Sequence, residues 1–317
     1  MKKLFILIFF INNIFASIFW GAALEKIPKL ENIYKAEYET GFLPQFLEFY
    51  LAFYKTDFLS SLEDIWTLGA VPCITIEPAL FENNTMQAVF FEDILNGKFD
   101  EVLRNFTDQI KSFNNPLIIR FAHEMNLNVY HWGQDILNEK SAEIYIKMYR
   151  YVYEFFKKQN VKNTIFAFCP NNESVPNVSY NQIKNYFPGS DYVDILGVDG
   201  YNFGTCPTDR QSKWKNFDEI FSNALTELRS LSQNPLIIFE TASTTKGGDK
   251  NIWIENSLDM ALKHNIQGII WFQVDKECDW KISSELDKKN VNKFFEKNYS
   301  NVQYWAKEFL NEKRRAN

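Results

Sequence analysis

Residues 116–124 read PLIIRFAHE, an apolar run that begins at a proline and ends on charge. Leu117, Ile118 and Ile119 have the continuous hydrophobicity of a strand buried on both faces. Arg120, His123 and Glu124 do not, and a buried strand holds such groups only where something pairs with them or uses them. Residues 235–242, PLIIFETA, repeat the pattern and carry Glu240. Two strands that finish on a glutamate ask for a fold that gathers strand ends in one place.

Working outward from this pair, further apolar runs bounded by turn signals occupy 18–25, 46–54, 70–78, 163–171, 193–201 and 268–275, which makes eight. Segments of 3.6-residue periodicity separate most of them, among them FDEVLRNFTDQIKSF, AEIYIKMYRYVYEFFKKQ, FDEIFSNALTELRSL and NIWIENSLDMALKH, and a Lys- and Phe-rich helix is expected near 287–311. Strand and helix in alternation require a parallel sheet, and eight such units close into a (β/α)8 TIM barrel, a single α/β domain over 18–317. An open doubly wound sheet is the competing arrangement, but no GxGxxG or phosphate loop follows the first strand.

In a TIM barrel the chemistry sits at the C-terminal ends of the strands. Glu77, Glu124, Asn171, Asp199, Tyr201, Glu240, Trp271, Gln273 and Asp275 are therefore expected to ring one pocket. Glu124 and Glu240 come from strands that face each other across the barrel, and two carboxylates of unequal pKa are what cleavage of a glycosidic bond needs. Trp132, Tyr201, Trp271 and Trp280 lie at or beyond strand ends, where rings can stack on sugar faces. His123 and Arg120 are read as polar partners, His123 for a sugar hydroxyl and Arg120 for a carboxylate held in its fork.

Composition narrows the alternatives. With 46% hydrophobic residues the chain can bury a large core, and a net charge of −6 without a basic cluster excludes a nucleic-acid surface. Lys2 and Lys3, the run LFILIFFINNIFA and small residues at Ala16 and Ser17 read as a signal peptide over 1–17, which implies a secreted, periplasmic or surface protein; an uncleaved anchor or a leader packed on the domain are the alternatives. Cys73 and Cys169 fall in apolar runs and are expected as buried thiols. Cys206 and Cys278 fall in loops and could pair in an exported protein, a question that their spacing leaves open. No cysteine spacing suits zinc, and His123 with His131 alone makes a weak metal site, so no cofactor or metal is expected. The expected partner is a polysaccharide or oligosaccharide bound by a monomer with no stable membrane insertion.

HEMN at 123–126 with YHWG after it, FET at 239–241, GVDGYN at 197–202, WF at 271–272, ILNGKFD at 94–100 and TIEP at 75–78 together resemble glycoside hydrolase family 26, the β-mannanase-type retaining (β/α)8 glycosidases. The resemblance implies that Glu124 is the general acid/base, Glu240 the nucleophile and Tyr201 a hydrogen-bond donor to it, with His123 and Trp271 lining the subsite of the attacked sugar. It implies a β-linked substrate, β-mannan first and other β-glucans, xylan or exopolysaccharide after it. Where the family has glycine and then an aromatic after HEMN, this chain has Leu127 and Val129, which removes one stacking surface. A non-catalytic carbohydrate-binding barrel is the alternative; it would have no use for two facing glutamates.

Overall fold

Eight parallel strands close on themselves in the computed structural model, which describes residues 18–82, 85–133, 138–207, 211–298 and 300–316. The expected leader at 1–17 lies outside the described residues. The barrel strands are β1 (Phe19–Leu24), β2 (Phe46–Ala52), β3 (Val71–Glu77), β6 (Leu117–Phe121), β7 (Thr164–Phe168), β8 (Ile195–Asn202), β9 (Leu236–Ser243) and β10 (Gly268–Phe272). They neighbour one another in chain order, and β1 pairs with β10 to shut the ring.

Helices α1 (Leu30–Thr40), α2 (Leu59–Thr67), α4 (Asp100–Phe113), α5 (Ser141–Lys158), α6 (Phe217–Leu231) and α7 (Lys250–Lys263) fall between strands. α6 starts where Asn216 and Glu219 exchange side chain-to-backbone hydrogen bonds, a capping box that the sequence spells as Asn-x-x-Glu. The last helix is two: α8 (Glu285–Asn298) and α9 (Val302–Ala316). β7 reaches β8 through short 3-10 turns at Ser179–Asn181 and Ile183–Tyr186, in place of a long helix. After β3 a hairpin, β4 (Ala79–Glu82) with β5 (Thr85–Ala88), and a short helix α3 (Phe91–Leu95) are inserted ahead of α4.

Alternation along each strand decides what fills the barrel. The inward series on β2 runs Phe46, Glu48, Tyr50, and that on β3 runs Cys73, Thr75, Glu77, so both strands turn from apolar to polar toward the C-terminal mouth. Cys73 and Cys169 are buried free thiols, and Cys206 is bonded to Cys278 across a Cα separation of 5.9 Å. That bond ties the loop after β8 to the loop after β10. No helix among the described residues is long and apolar enough to cross a membrane.

Candidate active site

Arg120 sits fully buried at the top of the barrel, and four side chains converge on it. Its Nη1 donates to Asp199 Oδ2 at 2.5 Å, its Nη2 lies 2.6 Å from Glu48 Oε1 and also donates to Glu240 Oε1, and its Nε donates to Thr75 Oγ1 at 2.7 Å. Thr75 Oγ1 in turn donates a hydrogen bond to Glu48 Oε1 at 2.5 Å. One guanidinium cannot neutralise three carboxylates, so they do not share ionisation equally. Burial holds Asp199 well above the usual carboxylate range and pushes Glu48 up to about 8. Burial also works against the charge of Glu240, but the Arg120 charge, His123 and a hydrogen bond from Tyr201 Oη to Glu240 Oε2 at 2.5 Å outweigh it and bring its pKa to about 2. Glu240 is the ionised member of the set.

A kink in β9 aims it. The register between β8 and β9 steps from Val198 opposite Ile238 to Asp199 opposite Glu240, leaving Phe239 as the extra residue of a bulge. Both Phe239, whose ring centroid lies 5.7 Å from the guanidinium carbon, and Glu240 thereby meet Arg120. Gly197 allows this, since a Cβ there would stand 2.7 Å from the Phe239 ring.

Glu124 is placed by backbone that sequence reading treats as plain strand. β6 ends at Phe121, and Ala122 and Glu124 follow with φ of 49° and 51°, left-handed values that non-glycine residues adopt only where surroundings impose them. The Glu124 amide still donates to Cys169 O at 2.9 Å, so the turn stays fastened to β7. Asn171 Nδ2 donates to Glu124 Oε1 at 2.6 Å, and Asn126 holds Asn171 in turn, accepting from its amide at 2.8 Å and donating to its carbonyl at 3.0 Å. Burial first, then the Glu240 charge, push the Glu124 carboxyl up to about 7. Burial, aided by Arg120, lowers His123 to about 3, so its ring is neutral; its Nε2 lies 3.8 Å from Glu240 Oε1.

Above these groups opens a cleft of about 1320 Å³ lined by Glu77, His123, Glu124, Asn171, Tyr201 and Glu240, with Tyr50, Tyr130, Phe272 and Trp280 among its aromatics. Three expected site residues stand elsewhere. Trp271 is fully buried beneath the cleft, its ring 5.9 Å from Trp20 and 6.0 Å from Trp253, and its Nε1 donates to the Trp280 carbonyl at 2.9 Å. A core ring cannot stack on a sugar, and Trp280, which borders the cleft and packs against Tyr201 and Phe203, is itself fully buried; the partly exposed aromatics of the cleft are Tyr50, Tyr130, Tyr201 and Phe203. Trp132 is likewise buried, stacked 4.5 Å behind Tyr130 and donating to the His123 carbonyl at 2.6 Å, so it backs the wall that Tyr130 presents. Arg120 lies under the cleft and acts on its carboxylates. Of the wider set expected at the pocket, Asp199 pairs with Arg120, Gln273 is bonded to both backbone groups of Ile282, and Asp275 accepts from the Lys281 amide. The sequence pattern singles out neither Glu48 nor Tyr50, and it offers Tyr130 only within the YHWG motif. An isolated Glu inside FLEFYLAFY was the available signal for the first two.

His123, Asp199 and Glu240 could each offer one ligand atom to a metal ion. The Arg120 guanidinium already bonds both carboxylates, which fits a fixed organic cation in the place of a metal.

A TIM barrel with one ionised and one protonated carboxyl at the mouth has the equipment of a carboxylate-pair glycoside hydrolase. The chain belongs to glycosyl hydrolase family 26, whose family model matches residues 81–273. Among relatives, Endoglucanase H of Acetivibrio thermocellus is 33% identical over 224 residues, 69% of this chain and 23% of that protein. A Bacillus subtilis mannan endo-1,4-beta-mannosidase is 27% identical over 161 residues, 45% of this chain and 43% of that protein. The match thus spans less than half the length of either relative. The catalytic domain of a Bacillus sp. JAMB-750 endo-beta-1,4-mannanase shares the fold with a TM-score of 0.71 at 17% identity, covering 92% of this chain and 89% of that one.

Proposed function

We propose that this protein is an exported, monomeric endo-β-glycosidase that hydrolyses β-linked polysaccharide by double displacement with retention. The observation that carries the proposal is the unlike setting of two carboxyls at one cleft: Arg120 and Tyr201 hold Glu240 and lower its pKa, whereas Glu124, buried and bonded by the Asn171 amide, has its pKa raised. Glu240, fixed by Arg120 and Tyr201, attacks the anomeric carbon as Glu124 gives its proton to the leaving oxygen. Once Glu240 is esterified its charge is gone, so the Glu124 carboxyl acidifies and can take a proton from water. His123, neutral and in the cleft, offers a hydrogen bond to the ring under attack, and Tyr130, partly exposed on the cleft wall, a stacking face. Export is supported by the leader and by the Cys206–Cys278 bond, since such bonds persist in oxidising compartments.

β-Mannan is the first substrate proposed, on the names of the mannosidase relatives; Endoglucanase H makes β-glucan the second. Incubation with β-mannan, mixed-linkage β-glucan, xylan and exopolysaccharide, followed by reducing-end assay, is expected to show internal cleavage of one class, with NMR giving a β product first. Release of the α anomer first would contradict double displacement, and binding without turnover would favour a carbohydrate-binding barrel.

A further inference from the structure

The turn that carries Glu124 also carries Asn126, which is fully buried and does not line the cleft. Its side chain serves the loop after β7: besides bonding both backbone groups of Asn171, it donates through Nδ2 to the Glu173 carbonyl and to Ser174 Oγ, each at 3.2 Å. The Asn126 carbonyl in turn accepts from the Val175 amide and from Asn181 Nδ2, each at 2.9 Å. Asn171 is thereby fixed, and its side-chain amide has one orientation open to it: Oδ1 accepts from the Glu173 amide at 2.9 Å, which leaves Nδ2 facing Glu124 Oε1. An amide N–H donates and cannot accept, whereas a carboxyl that protonates a leaving group needs its proton free. Oε1 is therefore the acceptor oxygen, and Glu124 carries its acid proton on Oε2.

We propose that Asn171 is a positioning residue for the second half of the reaction: its N–H, held in place by Asn126, assigns the acid proton of Glu124 to Oε2 and favours the ionised carboxylate that must take a proton from water. This rests on the glycosidase reading of the cleft. A hydrogen bond to the charged form of an acid favours that form, and the Asn171 bond works against the burial and the Glu240 charge that raise Glu124. The other charged or titratable groups around the carboxyl come from three elements. They are Arg120 on β6 with Tyr130 beyond it, Asp199 and Tyr201 on β8, and Cys169 on β7, whose thiol donates to Asp199. The Tyr130 phenol also bonds Glu124, but it can donate or accept and so sets no direction. Among the described residues the Asn171 side chain bonds none of these five.

The test compares the pH profiles of wild type, Asn171→Leu and Asn126→Ala. On β-linked polysaccharide the alkaline limb of kcat/KM reports Glu124 in the free enzyme. On an activated aryl β-glycoside, chosen so that deglycosylation limits the steady state, the acid limb reports Glu124 in the glycosyl-enzyme. Asn171→Leu, a side chain of similar size that donates nothing, should move both limbs up by about one to two pH units, and carboxyl-carbon NMR of Glu124 in the resting enzyme should titrate higher by the same amount. Asn126→Ala, which loosens Asn171 without removing it, should move both limbs the same way by less, at a lower melting temperature. A fall in kcat/KM for Asn171→Leu with both limbs in place would make Asn171 a sugar-binding residue and overturn the inference. If wild type cleaves no β-glycoside, the glycosidase reading fails and this one with it; if wild type is active while the limbs and the titration of Asn171→Leu coincide with its own, this one fails alone.

Discussion

Glu124 and Glu240 are the same residue type lining one cleft, and their difference is made by what reaches them. Glu240 has a guanidinium and a phenol; Glu124 has an amide donor, burial and the repulsion of Glu240. Since Glu124 must be protonated to act and its pKa is about 7, kcat/KM on natural polysaccharide should fall as pH rises through 7. With an activated phenol as leaving group, glycosylation needs no acid, and that alkaline limb should flatten for the first step. Trp271 makes the contrasting prediction: as a core ring, Trp271→Ala should cost about 3–5 kcal/mol of stability, read by denaturant melts, with little change in kcat/KM per folded molecule. Both glutamates were legible in the sequence because charge at the end of an apolar strand is anomalous. That neither Trp271 nor Trp280 opens a ring to the cleft was not legible: both end or follow β10, and only the packing of the strand and of the loop after it buries them.

That loop is the element on which the cleft wall depends. Lys250, at the start of α7, donates through Nζ to three consecutive carbonyls, those of Asp279, Trp280 and Lys281, at 2.8, 2.9 and 2.7 Å. Asp279 is held in turn by the hydroxyls of Thr244 and Thr245. Lys250→Met leaves buried carbonyls unpaired, so it should lower stability by roughly 1–3 kcal/mol and reduce kcat/KM as the loop that borders the cleft through Lys276, Glu277 and Trp280 loosens, both measured on the same preparation. Reduction of the Cys206–Cys278 bond, which closes a span of 72 residues, should cost about 4 kcal/mol in a chain-entropy account, seen as a lowered denaturation midpoint in dithiothreitol. At this scale the eight strands and most helices were readable, because period and turn signals are local. The β4–β5 hairpin and the split of the last helix were not: an insertion after a strand end carries no periodicity of its own, and a short break between α8 and α9 is erased by the Lys- and Phe-rich composition on both sides.

For the whole molecule, the barrel keeps its chemistry at the expense of stability. Glu48, Glu77 and Glu124 have pKa values of about 8, 7 and 7 against an ordinary 4.5, so their protonated forms favour the fold below pH 4.5 and that contribution is lost as pH rises through 7 to 8. Glu240, lowered to about 2, contributes above 4.5 and loses its contribution only as pH falls toward 2. Stability should therefore decline from pH 5 to pH 8, and Glu124→Gln, which cannot ionise, should decline less, by on the order of a few degrees in Tm at pH 8. The central claim, Glu240 as nucleophile and Glu124 as acid/base, is tested most directly by pre-steady-state turnover of an activated aryl β-glycoside by Glu124→Gln and Glu240→Gln. The account predicts a burst of phenol and a slow steady rate from Glu124→Gln alone, with azide accelerating the slow phase to a β-glycosyl azide, and no burst from Glu240→Gln with any leaving group. Equal inactivity of both variants toward activated and natural substrates, or wild-type activity in either, would contradict it.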